Sequence, residues 1–314
     1  MLSNVLHDMV DLALRLAPHE GHHATGVPGL ALIRADQPGQ RLPALYEPGL
    51  VLVLQGRKQA TLGRQVLSYD PLHALVVSVT LLPQAQIVDA SPERPYLCLR
   101  LGVDTHELAS LLLEAAPVIP AGASAAPAPG LHVTTVSAPL LDALHRLLHL
   151  LLQPRDLPVL APLLRREIFY RVLTGDLGPQ LRALAVAGSQ AQRIVRAIDL
   201  VRRRYTEPLR VDELAAAAHM SASTLHARFK QVTAMTPLQY QKLLRLHEAR
   251  RLMLADGLDA ASAAHRVGYE SPSQFNREYR RQFGAPPRAE VQRLRQPLHS
   301  PLGDPRDAPH SLPQ

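Results

Sequence analysis

The chain has 314 residues, 46% hydrophobic and 19% charged, which is enough apolar content for the cores of two ordinary domains and too much for global disorder. Its single cysteine, Cys98, rules out an internal disulfide and a cysteine-based zinc cluster, and apolar runs such as 50–54 and 147–152 are far shorter than the ~20 residues that span a bilayer. The net charge of +7 is unevenly spread: residues 1–192 carry 14 basic against 15 acidic side chains, 193–295 carry 19 against 10, and 296–314 carry Arg306 against Asp304 and Asp307. All the excess positive charge therefore sits in about a hundred residues, as a phosphate-binding domain requires.

The first sixteen residues, MLSNVLHDMVDLALRL, have Asp8 and Asp11 among their apolar positions and predict an amphipathic helix rather than a signal peptide. The expected compartment is the cytoplasm, with no membrane contact. From Val27 to Val103 short apolar runs, LALI (30–33), LVLVL (50–54), ALVVSVTLL (74–82) and YLCLRL (96–101), alternate with breakers such as Pro28-Gly29, Pro48-Gly49 and Asp70-Pro71. That spacing predicts a β-sandwich or small barrel. A Pro/Ala/Gly loop (116–130) follows, then helices over 138–152 and 160–173. The stripe Leu140, Leu144, Leu147, Leu148, Leu151 is wide enough to need covering, by the barrel or by a second subunit. Residues 175–192 read as a hinge with one short helix; 296–314 are proline-rich, without periodicity, and expected to be disordered.

Between 193 and 295 the pattern turns helical and repeats. Val211–Ala215 opens a short helix, His219-Met220 interrupts it, and Ser221 is placed to cap a second helix through SASTLHARFKQV. On that helix Leu225, Phe229 and Val232 share one face, and Ser223, His226, Ala227 and Lys230 share the other. About 48 residues later the arrangement recurs. Asp259–Val267 is the supporting helix, Gly268 the turn, Ser271 the cap, Pro272 the first helical residue, and Gln274 the partner in a capping-box pattern. Phe275 and Tyr279 face the core, while Ser273, Asn276, Arg277 and Arg280 face outward. The stretch 237–254 is long enough for a connecting helix. Two such readers on a rigid connector fit successive major grooves, roughly 34 Å apart along the duplex.

The segment LAAAAHMSASTLHARFKQVTAMTPLQYQKLLRLHEARRLML…VGYESPSQFNREYRRQFGAPP resembles the tandem helix-turn-helix domain of AraC-type regulators. Upstream, LYEPGLVLVLQGRKQATLG…YDPLHALVVSV…ASPERPYLCLRL is similar to the N-terminal domain of one AraC subfamily. The resemblance implies an α+β chain: a cupin-like β-barrel with dimerisation helices (1–178), a hinge (179–192), an all-α tandem helix-turn-helix domain (193–295) and a tail (296–314). It implies groove-facing roles for Ser223, His226 and Ala227 in the first unit and for Ser273, Gln274, Asn276 and Arg277 in the second, with Lys230 and Arg280 beside them. His219 stands where the family commonly has a turn glycine, a position histidine tolerates better than most residues.

Other chemistry is less well placed. His145 and His149 have the spacing of helical metal ligands, but no third ligand follows from the sequence, so no metal and no cofactor is expected. His22-His23 reads as a polar loop. Between 30 and 104 His73 is the only histidine, too few for a catalytic cupin site, so no catalytic residue and no enzyme activity is expected. Cys98 lies on a strand with Tyr96 and Arg100 on its own side, open to a sensing role or a packing one. Arg202, Arg203 and Arg204 suit phosphate contact and plain solvation equally. The function expected is sequence-specific transcription regulation. Its partners would be double-stranded promoter DNA, a small-molecule effector taken up by the N-terminal domain, a second copy in a homodimer, and RNA polymerase. The alternative is a constitutive DNA binder whose barrel only dimerises.

Overall fold

The computed structural model describes residues 2–103, 105–115, 129–176, 178 and 190–295. Most of the 116–130 loop, most of the 179–192 hinge and the 296–314 tail lie outside them. The chain divides into two units, Met1–Leu244 and Arg245–Gln314.

In the first unit an amphipathic helix, α1 (Leu2–Leu16), precedes nine strands: β1 (Gly21–Ala24), β2 (Leu30–Ala35), β3 (Leu42–Pro43), β4 (Gly49–Gln55), β5 (Arg57–Leu62), β6 (Gln65–Tyr69), β7 (His73–Val77), β8 (Gln84–Asp89) and β9 (Tyr96–Gly102). Helix α2 (Thr105–Ala115) and strand β10 (Leu131–Thr135) follow, then α3 (Ala138–Leu150) and α4 (Leu157–Thr174). The unit ends with α5 (Gln190–Arg203), α6 (Val211–Ala217), α7 (Ala222–Thr233) and the first turns of α8 (Pro237–Ala255).

The strands pair antiparallel into two sheets, a six-stranded one ordered β1-β2-β9-β4-β7-β10 and a four-stranded one ordered β3-β8-β5-β6. The expected barrel is therefore not closed. Among the described residues no ladder joins the sheets, because the chain passes between them over turns rather than along bent strands. One such turn is Gly56, with φ 78°, where an added Cβ would lie 2.4 Å from the carbonyl oxygen of Asp89; only glycine fits there.

The near-continuous apolar runs of the larger sheet are explained by burial on both faces. Leu30, Leu32, Leu50, Leu52, Leu54, Leu97, Leu99 and Leu101 pack against α1, α3 and α4. The alternate residues, among them Val53, Leu75, Val77, Tyr96 and Cys98, face a second core with Ala60, Leu62 and Tyr69 of the smaller sheet. The same core takes in Ile194, Ile198 and Val201 of α5, Leu214 of α6, Phe229 of α7 and Tyr240 of α8. The first helix-turn-helix unit thus shares its core with the N-terminal sheets.

Several sequence expectations change here. The leucine stripe of α3 is covered within its own chain: Leu140, Leu144, Leu147 and Leu148 are at most 5% exposed, so the intramolecular cover, not a second subunit, satisfies it. His22-His23 lies on β1, an edge strand paired with Ile33 and Leu32, not in a loop. Strands β5, β6 and β8 were not evident, since RKQATL, QVLSY and QAQIVD carry too few apolar residues to mark a strand.

In the second unit α9 (Ala260–Arg266), α10 (Pro272–Phe283) and α11 (Pro287–Arg295) surround Leu246, Met253, Val267, Phe275, Tyr279 and Phe283, all buried. Glu290 is also fully buried. It accepts hydrogen bonds from Tyr279 Oη at 2.8 Å and Arg250 Nη2 at 2.6 Å, and the guanidinium of Arg250 stacks 4.9 Å from the Phe283 ring centroid. A buried carboxylate is tolerable because it is both paired and hydrogen-bonded. Among the described residues no helix is long and apolar enough to cross a membrane.

Candidate nucleic-acid interface

The two helix-turn-helix units are built by the same local chemistry. Helix α6 ends in a Schellman motif: Met220 N–H donates to Ala215 O and His219 N–H to Ala216 O. Helix α9 ends the same way, with Tyr269 N–H to Ala264 O and Gly268 N–H to His265 O. The left-handed position of that motif is His219 at φ 51° in one unit and Gly268 at φ 85° in the other. Histidine does occupy the turn glycine's place. Ser221 and Ser271 then cap the next helices, accepting from the N–H groups of Thr224 and Gln274. The Gln274 side chain does not complete a capping box; its amide donates to Glu278.

Each second helix is anchored by its buried face. Leu225, Phe229 and Val232 hold α7, and Phe275, Tyr279 and Phe283 hold α10, with the rings of Tyr269, Phe275, Tyr279 and Phe283 in successive contact. The opposite faces are open. On α7 Ser223, Ala227 and Lys230 are exposed and His226 is partly so; Ser223 Oγ lies 3.1 Å from Ser221 Oγ. On α10 Ser273, Gln274, Asn276, Arg277 and Arg280 are all exposed. The sequence expectation brings each set onto one helix face, as placed. Among the described residues Arg277 and Arg280 enter no ion pair, whereas Arg202 pairs with Glu47 and Asp199, and Arg204 with Glu207 and Glu213. The 202–204 run is thus partly neutralised, while the cations of α10 stay available for phosphate or base edges.

Contacts that the sequence did not announce tie α7 to the sheets. The N–H of Gly130 donates to the carbonyl of Val232, in the last turn of α7, at 3.1 Å. Ala234, the left-handed cap that ends α7, lies where a Cβ on Gly63 of the β5–β6 turn would meet it at 2.8 Å. Between the sheets Tyr46 and Tyr69 share a hydrogen bond of 2.8 Å, and Lys58 Nζ lies 5.4 Å from the Tyr46 ring centroid. The Tyr96 hydroxyl is fully buried beside the Cys98 thiol. Burial pushes that thiol above its ordinary pKa, and the nearby charges of Lys58 and Arg100 only partly oppose it. A reactive thiolate needs the reverse balance.

Comparison with known proteins agrees with this architecture. Residues 26–180 match the family described as the AraC-type transcriptional regulator N-terminus, and 214–293 match a helix-turn-helix domain. The chain is 30% identical over 123 residues to the transcriptional activator RhaS of Pectobacterium carotovorum, covering 39% of this chain and 44% of that protein. It is 27% identical over 156 residues to the regulator GbdR of Pseudomonas aeruginosa, covering 50% and 42%. The matched stretch therefore spans under half the length of these curated relatives. In fold it is similar to ToxT of Vibrio cholerae, with a TM-score of 0.60 at 11% identity over 84% of this chain and 98% of that one. With an AraC-type N-terminus and a helix-turn-helix domain in succession, the chain belongs to the AraC family of transcriptional regulators.

Proposed function

We propose that the protein binds promoter DNA sequence-specifically and that a small molecule taken up by the N-terminal domain alters this binding. One observation carries the reading: two capped helices present polar, cationic faces over aromatic anchors, and the first shares its core with the sheets. In this reading Arg277, Asn276, Gln274 and Ser273 read bases from α10, His226, Ser223 and Ala227 do so from α7, and Lys230 and Arg280 hold phosphates. The domains are those of the sequence: 1–178 for sensing, 179–192 as hinge and 193–295 for DNA.

An effector that binds one arrangement of the sheets better than another would shift the population of α7 placements, since α7 is hydrogen-bonded to the sheet domain through Gly130 and Val232. The polar groups of Tyr46, Lys58, Tyr69 and Tyr96 between the sheets support an effector site there, and the structurally similar ToxT has been solved with an unsaturated fatty acid bound. The protein acts in the cytoplasm as a binding protein rather than an enzyme, as a homodimer in contact with RNA polymerase at promoters.

Titration of the full chain with duplex DNA at rising salt tests the reading. Affinity should fall steeply with salt, because each neutralised phosphate releases counterions. Absence of binding at low salt, or binding indifferent to salt, would overturn it.

A further inference from the structure

A second chemical cluster lies where α1 meets α3. His145 and His149 stand one turn apart on α3, so both imidazoles leave the same face. Asp8 of α1 reaches them from the other end of the domain's sequence. Its Oδ2 lies 2.5 Å from His145 Nε2 and 2.7 Å from His149 Nε2. The two rings meet edge to face with centroids 4.5 Å apart, and the three donor atoms lie within 4.8 Å of one another.

We propose that Asp8, His145 and His149 form a binding site for a divalent transition-metal ion of the zinc class. Two imidazole nitrogens and one carboxylate oxygen are a borderline donor set, suited to zinc, nickel or copper rather than to calcium or magnesium, which prefer all-oxygen sites. Zinc bonds of about 2.0–2.2 Å in tetrahedral array place donors roughly 3.3 Å apart. The present separations, which are hydrogen-bond lengths, need widen by less than about 1 Å, within reach of a rotation of the half-exposed Asp8 side chain.

The two Nε2 atoms and the Asp8 carboxylate oxygen converge on one small volume, an arrangement that a single ion pair does not need and that a shared metal ion does. Side-chain exposures of 21% for His145, 43% for His149 and 49% for Asp8 leave an entry path and open coordination positions. His7 and Asp11 line the adjoining cleft beside Asp8. Glu167, on the other flank, is held by Arg146 and Arg171 and is not free to join. A bound ion would staple α1 to α3 and so stiffen the helical layer beneath the larger sheet, a role separate from DNA recognition.

The test uses the full chain, stripped with chelator at pH 7.5, since metal binding competes with protons for its ligands. Zinc is titrated against a chromophoric chelator for the wild type, Asp8→Asn and His149→Gln. Asp8→Asn keeps an oxygen facing the imidazoles but removes the anionic ligand. One zinc per chain should bind the wild type, and each variant should weaken it by at least the roughly 10–100-fold that even outer-shell losses cost. Zinc should also raise the melting temperature of the wild type only. Equal zinc affinity in all three would place binding on others of the 15 histidines and overturn the site. So would no stoichiometric binding by the wild type, which would leave the cluster an ion-pair clamp. If Asp8→Asn does not fold, the His149→Gln comparison decides alone.

Discussion

The hydroxyl of Tyr240 donates to the backbone carbonyl of Thr80 across 3.0 Å, with both residues buried and 160 positions apart in the chain. This bond pins the start of the connecting helix α8 to the turn between the two sheets. Tyr240→Phe keeps the ring, which meets Phe229 edge to face, but strands a buried acceptor. It should cost about 1–3 kcal/mol. In a urea titration followed by circular dichroism, the midpoint should drop. An unchanged midpoint would show that the bond contributes nothing to holding the first helix-turn-helix unit on the sheets.

The leucine stripe of α3 yields a different test from the one its sequence suggests. Leu144 and Leu148 are fully buried against the larger sheet, α1 and α4. Leu148→Ala should therefore destabilise the fold by about 2–5 kcal/mol, the usual cost of a large-to-small core change. Light scattering at a temperature where the variant is folded should show no change in oligomeric state. A change in mass without a loss of stability would return the stripe to a subunit interface.

Arg277 is exposed on α10 and, among the described residues, without an ion-pair partner. If it donates a bidentate pair to guanine, Arg277→Ala should weaken specific binding roughly 10- to 100-fold and flatten preference at one or two base pairs. Stability should barely move. Phe275→Ala, which removes a fully buried ring, is the contrasting variant and should cost about 3–5 kcal/mol of stability. Equal loss of affinity for every sequence tested would reduce Arg277 to a phosphate contact.

His247 sets an acid limit on the second unit. Its Nε2 is buried without a hydrogen-bond partner, its ring sits edge-on to Phe283, and burial, with the charge of Arg250 behind it, pulls its pKa down to about 3. Unfolded, the same group titrates at its ordinary value of 6.5. Between those two values the unfolded chain takes a proton that the folded chain refuses. Stability is thus full above pH 6.5 and falls on acidification, with a slope of up to about 1.4 kcal/mol per pH unit from this group. Melting at pH 7.5 and pH 5 should show a smaller gap for His247→Leu than for the wild type. An identical gap would remove His247 from the acid response.

How much of this was legible beforehand depended on range. The caps Ser221 and Ser271, the anchors Leu225, Phe229, Phe275 and Tyr279, and the turn at His219 depend on neighbours within a few residues. Their spacing against the 3.6-residue helical period therefore reveals them, as the structure bears out. The apolar runs of β2, β4, β7 and β9 announced strands for a related reason: residues buried on both sides must be apolar throughout.

Periodicity says that a face must be covered but not what covers it, and this is where tertiary structure decided. The α3 leucines could equally have met a second subunit; only the packed chain puts α1, α4 and the sheet there. The polar strands β5, β6 and β8 are specified by backbone pairing with partners elsewhere in the sheet, which side-chain pattern does not encode. The same holds for Asp8, brought to His145 and His149 across more than 130 positions, and for Tyr240 on Thr80. A sequence reports each residue's chemistry and its local period; which distant groups meet is settled when burial of two cores brings their elements together.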